Sequence, residues 1–349
     1  MTEIVLLVEG RRLTGWEELT LTRSIEAVAG SLTLKVSDRD GFPVPEGAAM
    51  RLELGGVPML TGWVDAVRRS FTARERSVEV IGRDRTGELV DCSPLDAPPE
   101  FEGLALDGLA EDLAAPFGIE VAIAGDPGAV FPRFAIQPSE TVFEALERAA
   151  RLRGVLLTTN GLGQLVLENP ASSRASGSLV EGVNLISGRG RFDRSERFRR
   201  YVVHGQRAGS DLLFSDELRT QGEAFDDAVR KTRGLLVLAE AEADIATCQR
   251  RAEWEATVRR ARGSSIELVV QGWEQAPGEL WRPNQVVRVT SPTLRLDRDM
   301  LLTSARYERD PRSGTTTTLE LVHPEAFTPK PVLARDSDLS DDLADPDED

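Results

Sequence analysis

The sequence predicts a protein of the α+β class, mainly β, with two similar antiparallel β-barrel domains, an inserted small α+β domain and a helical connecting segment. Three observations carry that expectation. One β pattern occurs twice, about two hundred residues apart; a stretch of helical period lies between the two occurrences; and a Pro-rich joint separates the first occurrence from that stretch. The first occurrence runs Ser31–Val36, a turn through Gly41–Pro45, then Met50–Leu54, Leu60–Val67 and Ser77–Ile81. The second runs Ser265–Val270, a turn through Gly278–Pro283, then Val286–Val289, Leu301–Tyr307 and Thr317–Val322. Order and spacing agree while residue identities mostly do not. Any two antiparallel meanders share such an order, so the pattern by itself leaves true duplication open.

Taken along the chain, the expected domains are 1–95, a first β-barrel; 96–170, the small α+β domain; 171–262, a connecting region; 263–330, a second β-barrel; and 331–349, an acidic tail. The first barrel ends near Gly82–Asp91, and the joint Ser93–Pro99 can extend neither a sheet nor a helix. Beyond it Leu106, Leu109, Ala110 and Leu113 recur at helical spacing until Pro116 and Gly118 stop them. A second helix is expected from a Ser139 cap, with Glu140 and Glu144 in its first turns, Arg148, Arg151 and Arg153 toward its end, and Gly154 closing it. Its apolar face would be Val142, Leu146, Ala149 and Leu152. Two β-rich runs then meet at Asn160-Gly161, a hairpin signal. In the connecting region, residues 198–206 read as a strand contributing to the second barrel, 210–235 give no clear pattern, and 239–261 read as a charged helix ending at Gly263.

Composition narrows the function. The 349 residues exceed one ordinary core, so two to three domains are expected. A formal charge of -16 argues against a surface that grips nucleic-acid phosphates, since such surfaces need clustered Lys and Arg. Part of that charge lies in Asp336–Asp349, a segment with few residues able to enter a core and expected to be disordered. Cys92 and Cys248 match no zinc or redox spacing and read as free thiols. The apolar run near the N-terminus is too short for a signal peptide, and nothing approaches the ~20 apolar residues of a membrane span, so no membrane anchor is expected.

Catalytic signatures are sparse. His204 and His323 are the only histidines, one in a strand-like run and one at a strand end before Pro324, and both read as structural. There is no HxxxH or GxSxG, and Gly161-Leu-Gly163 is a hairpin fragment rather than a phosphate cradle. A carboxylate pair of glycosidase type is compatible with so many Asp and Glu residues, but Glu140 and Glu144 already serve a helix start. Phe117, Phe131, Phe134 and Phe143 read as core rather than as a glycan platform. The expectation is therefore no enzyme, no catalytic residue, no metal and no cofactor.

The chain resembles the central baseplate hub proteins of Mu-like contractile-tailed bacteriophages, relatives of the T-even phage hub and of the N-terminal hub part of type VI secretion spike proteins. The resemblance covers about residues 1–330 and rests on Leu21–Gly30, Gly82–Cys92, Ser139–Leu157 with its Asn160-Gly161 hairpin, and Gly278–Asn284, in that order. It implies a structural homotrimer in which two barrels per subunit make a pseudo-sixfold ring, joining a hexameric tail tube to a trimeric central spike and nucleating tube assembly. Implied partners are further copies of the chain, the tail tube protein, the central spike protein and other baseplate (wedge) proteins, with DNA only passing through the lumen. An acidic lumen wall would pass DNA without holding it. The implied location is the virion, at the distal end of the tail, after assembly in the host cytoplasm. The same mechanics suit the hub of a phage-derived secretion or injection device, and a tail-associated cell-wall glycan-binding protein or hydrolase is the alternative from another class. For contacts, Phe42 and Trp281 stand in matching turns of the two repeats, and Trp16, Trp63 and Trp254 are further candidate interface residues.

Overall fold

A computed structural model describes residues 3–37, 44–206, 220–242 and 244–331. The chain divides into two compact units, residues 1–191 with 264–324, and residues 192–263 with 325–349.

The first unit opens with β1 (Ile4–Val8), β2 (Arg11–Leu13), β3 (Glu18–Ser24), β4 (Ser31–Ser37), β5 (Ala49–Leu54), β6 (Val57–Phe71) and β7 (Arg76–Asp84). Alternation sets their faces: in β4, Leu32, Leu34 and Val36 are buried while the residues between them are not. A helical turn, α1 (Gly87–Asp91), leads into the small α+β region of β8 (Glu100–Leu104), α2 (Leu106–Ala114), β9 (Val121–Ile123), β10 (Phe131–Ala135), α3 (Val142–Arg153), β11 (Leu156–Thr159) and β12 (Leu165–Glu168). Leu106, Leu109, Ala110 and Leu113 of α2 are buried, as their spacing predicts. So are Phe131 and Phe134, with Phe117 and Phe143 packed against the same core.

In α3 the details differ from the sequence reading. Thr141, not Ser139, is the N-cap, and it forms a capping box: Glu144 N donates to Thr141 Oγ1 at 3.2 Å and Thr141 N donates to Glu144 Oε2 at 2.8 Å. Ser139 has φ 71°, outside the extended geometry an N-cap requires. Leu152 is 47% exposed, and Ala145 and Ala150 fill the buried stripe beside Val142, Leu146 and Ala149. Gly154 ends the helix at φ 67°, as expected. The β11–β12 hairpin docks on β6: Thr61 Oγ1 donates to Gly161 O at 2.8 Å, and a Cβ on Gly161 would lie 2.0 Å from Pro58 O. Only glycine allows that approach.

Short strands β13 (Ser173–Arg174) and β14 (Leu179–Val180) precede β15 (Leu185–Phe192). The second unit follows, with β16 (Arg200–Gln206), β17 (Gln221–Phe225), β18 (Gly234–Glu242) and α4 (Ile245–Arg262). The strand expected to join the second barrel is β16, and it forms instead the middle of a three-stranded sheet, antiparallel to β17 and parallel to β18. The charged helix starts later than its composition suggests, at Ile245 with Asp244 as N-cap, because Gly234–Glu242 is strand. Tyr201, Val203, Ala224, Cys248, Ala252 and Ala256 make the core here. Buried Glu255 is held by Arg251 at 2.9 Å and Arg259 at 2.8 Å, one turn to either side.

The chain then returns to the first unit with β19 (Ser264–Gln271), β20 (Glu274–Ala276), β21 (Glu279–Leu280), β22 (Gln285–Ser291), β23 (Leu296–Asp310) and β24 (Gly314–Val322). Both copies of the β pattern lie in one 14-stranded sheet, ordered β15-β19-β24-β23-β3-β4-β7-β6-β5-β1-β2, with β22, β13 and β14 branching from β23. The ladder is open, with β15 at one end and β2 at the other, so the two expected barrels are halves of one sheet rather than closed cylinders. They also share one hydrophobic core, which contains Leu32, Leu34 and Val80 from one half and Ile266, Leu268 and Leu319 from the other.

Candidate assembly interface

The two halves of the sheet match strand for strand in order and pairing. β4-β7-β6-β5 and β19-β24-β23-β22 have the same antiparallel neighbours. Each contains one 15-residue strand, β6 or β23, and each long strand carries a bulge at the same place, between Val64 and Ala66 and between Leu302 and Ser304. Aligned on the bulges, details repeat at the level of single atoms. Gly47 N donates to Val64 O at 2.8 Å, and Asn284 N donates to Leu302 O at 2.8 Å. Both residues have positive φ, 77° and 66°. Arg69 donates to Val44 O at 2.8 Å, where its counterpart Tyr307 donates its hydroxyl to Trp281 O. Burial pushes the Tyr307 hydroxyl up to about 12, so it stays a donor.

Residue identities diverge because volumes are traded between neighbours. Where one half has Gly82 beside Met50, the other has Leu321 and Val287 at the corresponding sites. A Cβ on Gly82 would lie 2.1 Å from the Met50 methyl, so the long side chain requires the glycine.

The halves are joined by β3, which pairs antiparallel with the C-terminal part of β23, from Ser24 opposite Ser304 to Leu19 opposite Arg309. β22 pairs with the same side of β23 but covers only Leu296–Leu301. In the first half, β5 likewise covers only Val57–Trp63 of β6. Among the described residues, no strand takes the place of β3 along Val67–Phe71, which pairs with β7 alone. Arg68 to Phe71 are exposed, Phe71 at 85%. Tyr307, the counterpart of Arg69, is fully buried, and Arg306, Glu308 and Arg309, the counterparts of Arg68, Ser70 and Phe71, are half-buried. β15, whose place beside β19 matches that of β3 beside β4, has no second neighbour in the sheet among the described residues, and Ile186 on it is 54% exposed.

Of the five sequence-predicted interface residues, the structure buries two. Trp16 and Trp281 are each 2% exposed in the shared core, which leaves no ring surface for a partner; size and turn position suggest a contact, and it is burial that decides. Trp63 and Trp254 are half-buried, Trp254 donating its indole N–H to Thr328 O at 2.8 Å with Arg251 stacked 4.9 Å from its ring centre. Phe42 and residues 332–349 of the acidic tail lie outside the described residues, as do residues 210–219 of the 210–235 stretch. Sequence reading missed the free edges; an apolar Phe71 closing a strand that otherwise ends in Arg68, Arg69 and Ser70 was the available signal.

Side chains that suggested chemistry have structural work. Glu140 is paired with Arg148 at 2.8 Å, which holds its carboxyl below the usual range, and Glu144 closes the capping box. Asp84, 2% exposed, accepts from Thr86 N at 3.0 Å and Thr86 Oγ1 at 2.9 Å, and burial lifts its carboxyl to about 6. Among the described residues no three His, Cys, Asp or Glu side chains gather to hold a metal, and no helix is long and apolar enough to cross a membrane. Cys92 is half-buried and Cys248 buried, and both are free thiols.

Comparison with known proteins accounts for this architecture. Residues 3–84 match the family model "Mu phage baseplate assembly protein GpP-like, N-terminal", residues 86–169 "Baseplate hub protein gp44-like, second domain", and residues 244–330 "Mu phage baseplate assembly protein GpP, fourth domain". Over 336 residues the chain is 34% identical to baseplate hub protein gp44 of Escherichia phage Mu, covering 93% of this chain and 88% of that protein. The chain belongs to the Mu-type baseplate hub family. Among solved structures, the 43 kDa tail protein of prophage MuSo2 from Shewanella oneidensis is 31% identical, with a TM-score of 0.82 over 93% of this chain and 99% of its own. A tail protein from Neisseria meningitidis MC58, 23% identical, shares the fold with a TM-score of 0.79 over 94% and 98% of the two chains. The hub is thus a structural protein of the phage tail baseplate and not an enzyme.

Proposed function

We propose that this hub works as a homotrimer whose six sheet halves form a pseudo-sixfold ring, joining a hexameric tail tube on one face to a trimeric central spike on the other and nucleating the tube. The observation that carries this reading is the duplication with its matched bulges and matched hydrogen bonds. A trimer offers three equivalent surfaces, and only a subunit that presents two near-equivalent surfaces lets it meet a sixfold partner. Other baseplate proteins would bind outside the ring, and DNA would pass through the lumen without being held. In this reading the hub sits at the distal end of the tail and is assembled there from host-cytoplasmic subunits.

Light scattering on the purified chain, followed by negative-stain images of the same peak, tests the proposal. Three times the chain mass and ring-shaped particles with a central hole are expected. A chain that stays monomeric at its highest soluble concentration, with no ring in the images, would overturn it.

A further inference from the structure

The duplicated sheet also carries, at two of its open edges, a means of closing such a ring. Resting on the trimeric reading, we infer that subunits are joined by strand pairing between β15 of one copy and the C-terminal half of β6 of the next, repeating between chains the β3–β23 joint found within each chain.

The internal joint is the template. β3 links the first half to the second by covering the part of β23 that β22 leaves open. β15 is the counterpart of β3, and Val67–Phe71 of β6 is the counterpart of the covered part of β23. Both are unpaired on the relevant edge among the described residues. An open strand edge is a template for another chain, and here the complementary edges sit at opposite halves of one sheet. Such a contact is heterologous, each copy giving one edge and receiving another, which is the type of interface that closes into rings.

The template also fixes the register. Thr20 lies opposite Thr33 in β4 and opposite Glu308 in β23. The counterpart of Thr33 is Glu267; Asp193 N donates to Gly263 O at 2.7 Å, and the same antiparallel register sets Arg189 of β15 opposite Glu267, to which it bonds at 2.9 Å, in the place of Thr20. The counterpart of Glu308 is Ser70. Arg189 therefore pairs with Ser70 of the next copy, and Gly188 with Phe71. In that register exposed Phe71 would lie across from Gly188, which presents no side chain to obstruct the ring; a Cβ there would lie 2.6 Å from Leu268 Cδ2. Arg191 falls opposite Arg68, whose charge Glu79 offsets at 3.0 Å. A chain with β15 on one half and the β6 edge on the other extends in one direction only.

Paired cysteines test it. In a Cys92→Ser background, Arg189→Cys with Ser70→Cys should oxidise to covalent dimers and trimers on a non-reducing gel. Arg189→Cys with Arg68→Cys, two residues out of register on the same face, should not. Phe71→Glu should abolish the trimer peak in light scattering while leaving the melting temperature of the monomer within error, because that ring contributes nothing to the isolated chain. A wild-type trimer that gives no Arg189–Ser70 cross-link, or that survives Phe71→Glu, overturns the strand joint and leaves the trimeric reading standing. A wild-type monomer with no cross-links overturns both.

Discussion

Asp84 shows how one buried residue sets a measurable property of this chain. With its side chain sealed, the carboxyl is lifted to about 6, chiefly by burial, which outweighs the hydrogen bonds from Thr86 and Thr159 and the charge of Arg23, against ~3.9 for an unfolded chain. The folded protein therefore holds a proton that the unfolded chain releases between those values. The stability linked to that proton is full below about pH 4 and is lost as pH rises through 6, a change of about 3 kcal/mol. Comparing urea denaturation of wild type and Asp84→Asn at pH 4 and pH 7 isolates it. Wild type should lose about 2–3 kcal/mol relative to the variant across that interval, and parallel profiles would refute the assignment. Carboxylates such as Asp91 and Glu140, held low by Arg83 and Arg148, act in the opposite direction but cancel in this comparison.

At the scale of elements, α3 gives the cleanest test. Thr141→Ala removes the capping box and should cost about 1 kcal/mol, with Ser139→Ala costing far less; equal effects would restore Ser139 as the cap. The helix itself was legible because Val142, Leu146 and Ala149 keep a 3.6-residue period and Gly154 ends it, whereas the cap was not, because Ser139 and Thr141 carry the same chemistry and only backbone geometry separates them. The repeated strands were legible for the same kind of reason: alternation in Ser31–Val36 and Ser265–Val270 survives any exchange of residues that keeps the inward face apolar. What alternation does not carry is the identity of a strand's neighbours. Nothing local in Arg200–Gln206 distinguishes pairing with Gln221–Phe225 and Gly234–Glu242 from a place in the larger sheet. The burial of Trp16 and Trp281 was not legible for a similar reason, since a large ring in a turn is equally suited to anchoring the turn on the core, as Trp281 does.

For the whole molecule, a shared core and the β3–β23 joint make the two halves of the sheet a single cooperative unit despite their separate positions along the chain. Native-state hydrogen exchange should therefore give Leu32–Leu34 and Ile266–Leu268 the same opening free energy within about 1 kcal/mol, while the second unit, with its own small core, exchanges independently. Earlier exchange of one half than of the other would refute that coupling. The joint has a further consequence, for synthesis at the ribosome. Ser24 and Thr303, bonded across it, are 279 residues apart. At ~5–20 residues per second, the N-terminal half waits on the order of tens of seconds with the edge of β3 unsatisfied before its partner emerges. During that interval neighbouring nascent chains present the same open edge, so the contact that unites one polypeptide is also the one through which crowded polysomes would entangle.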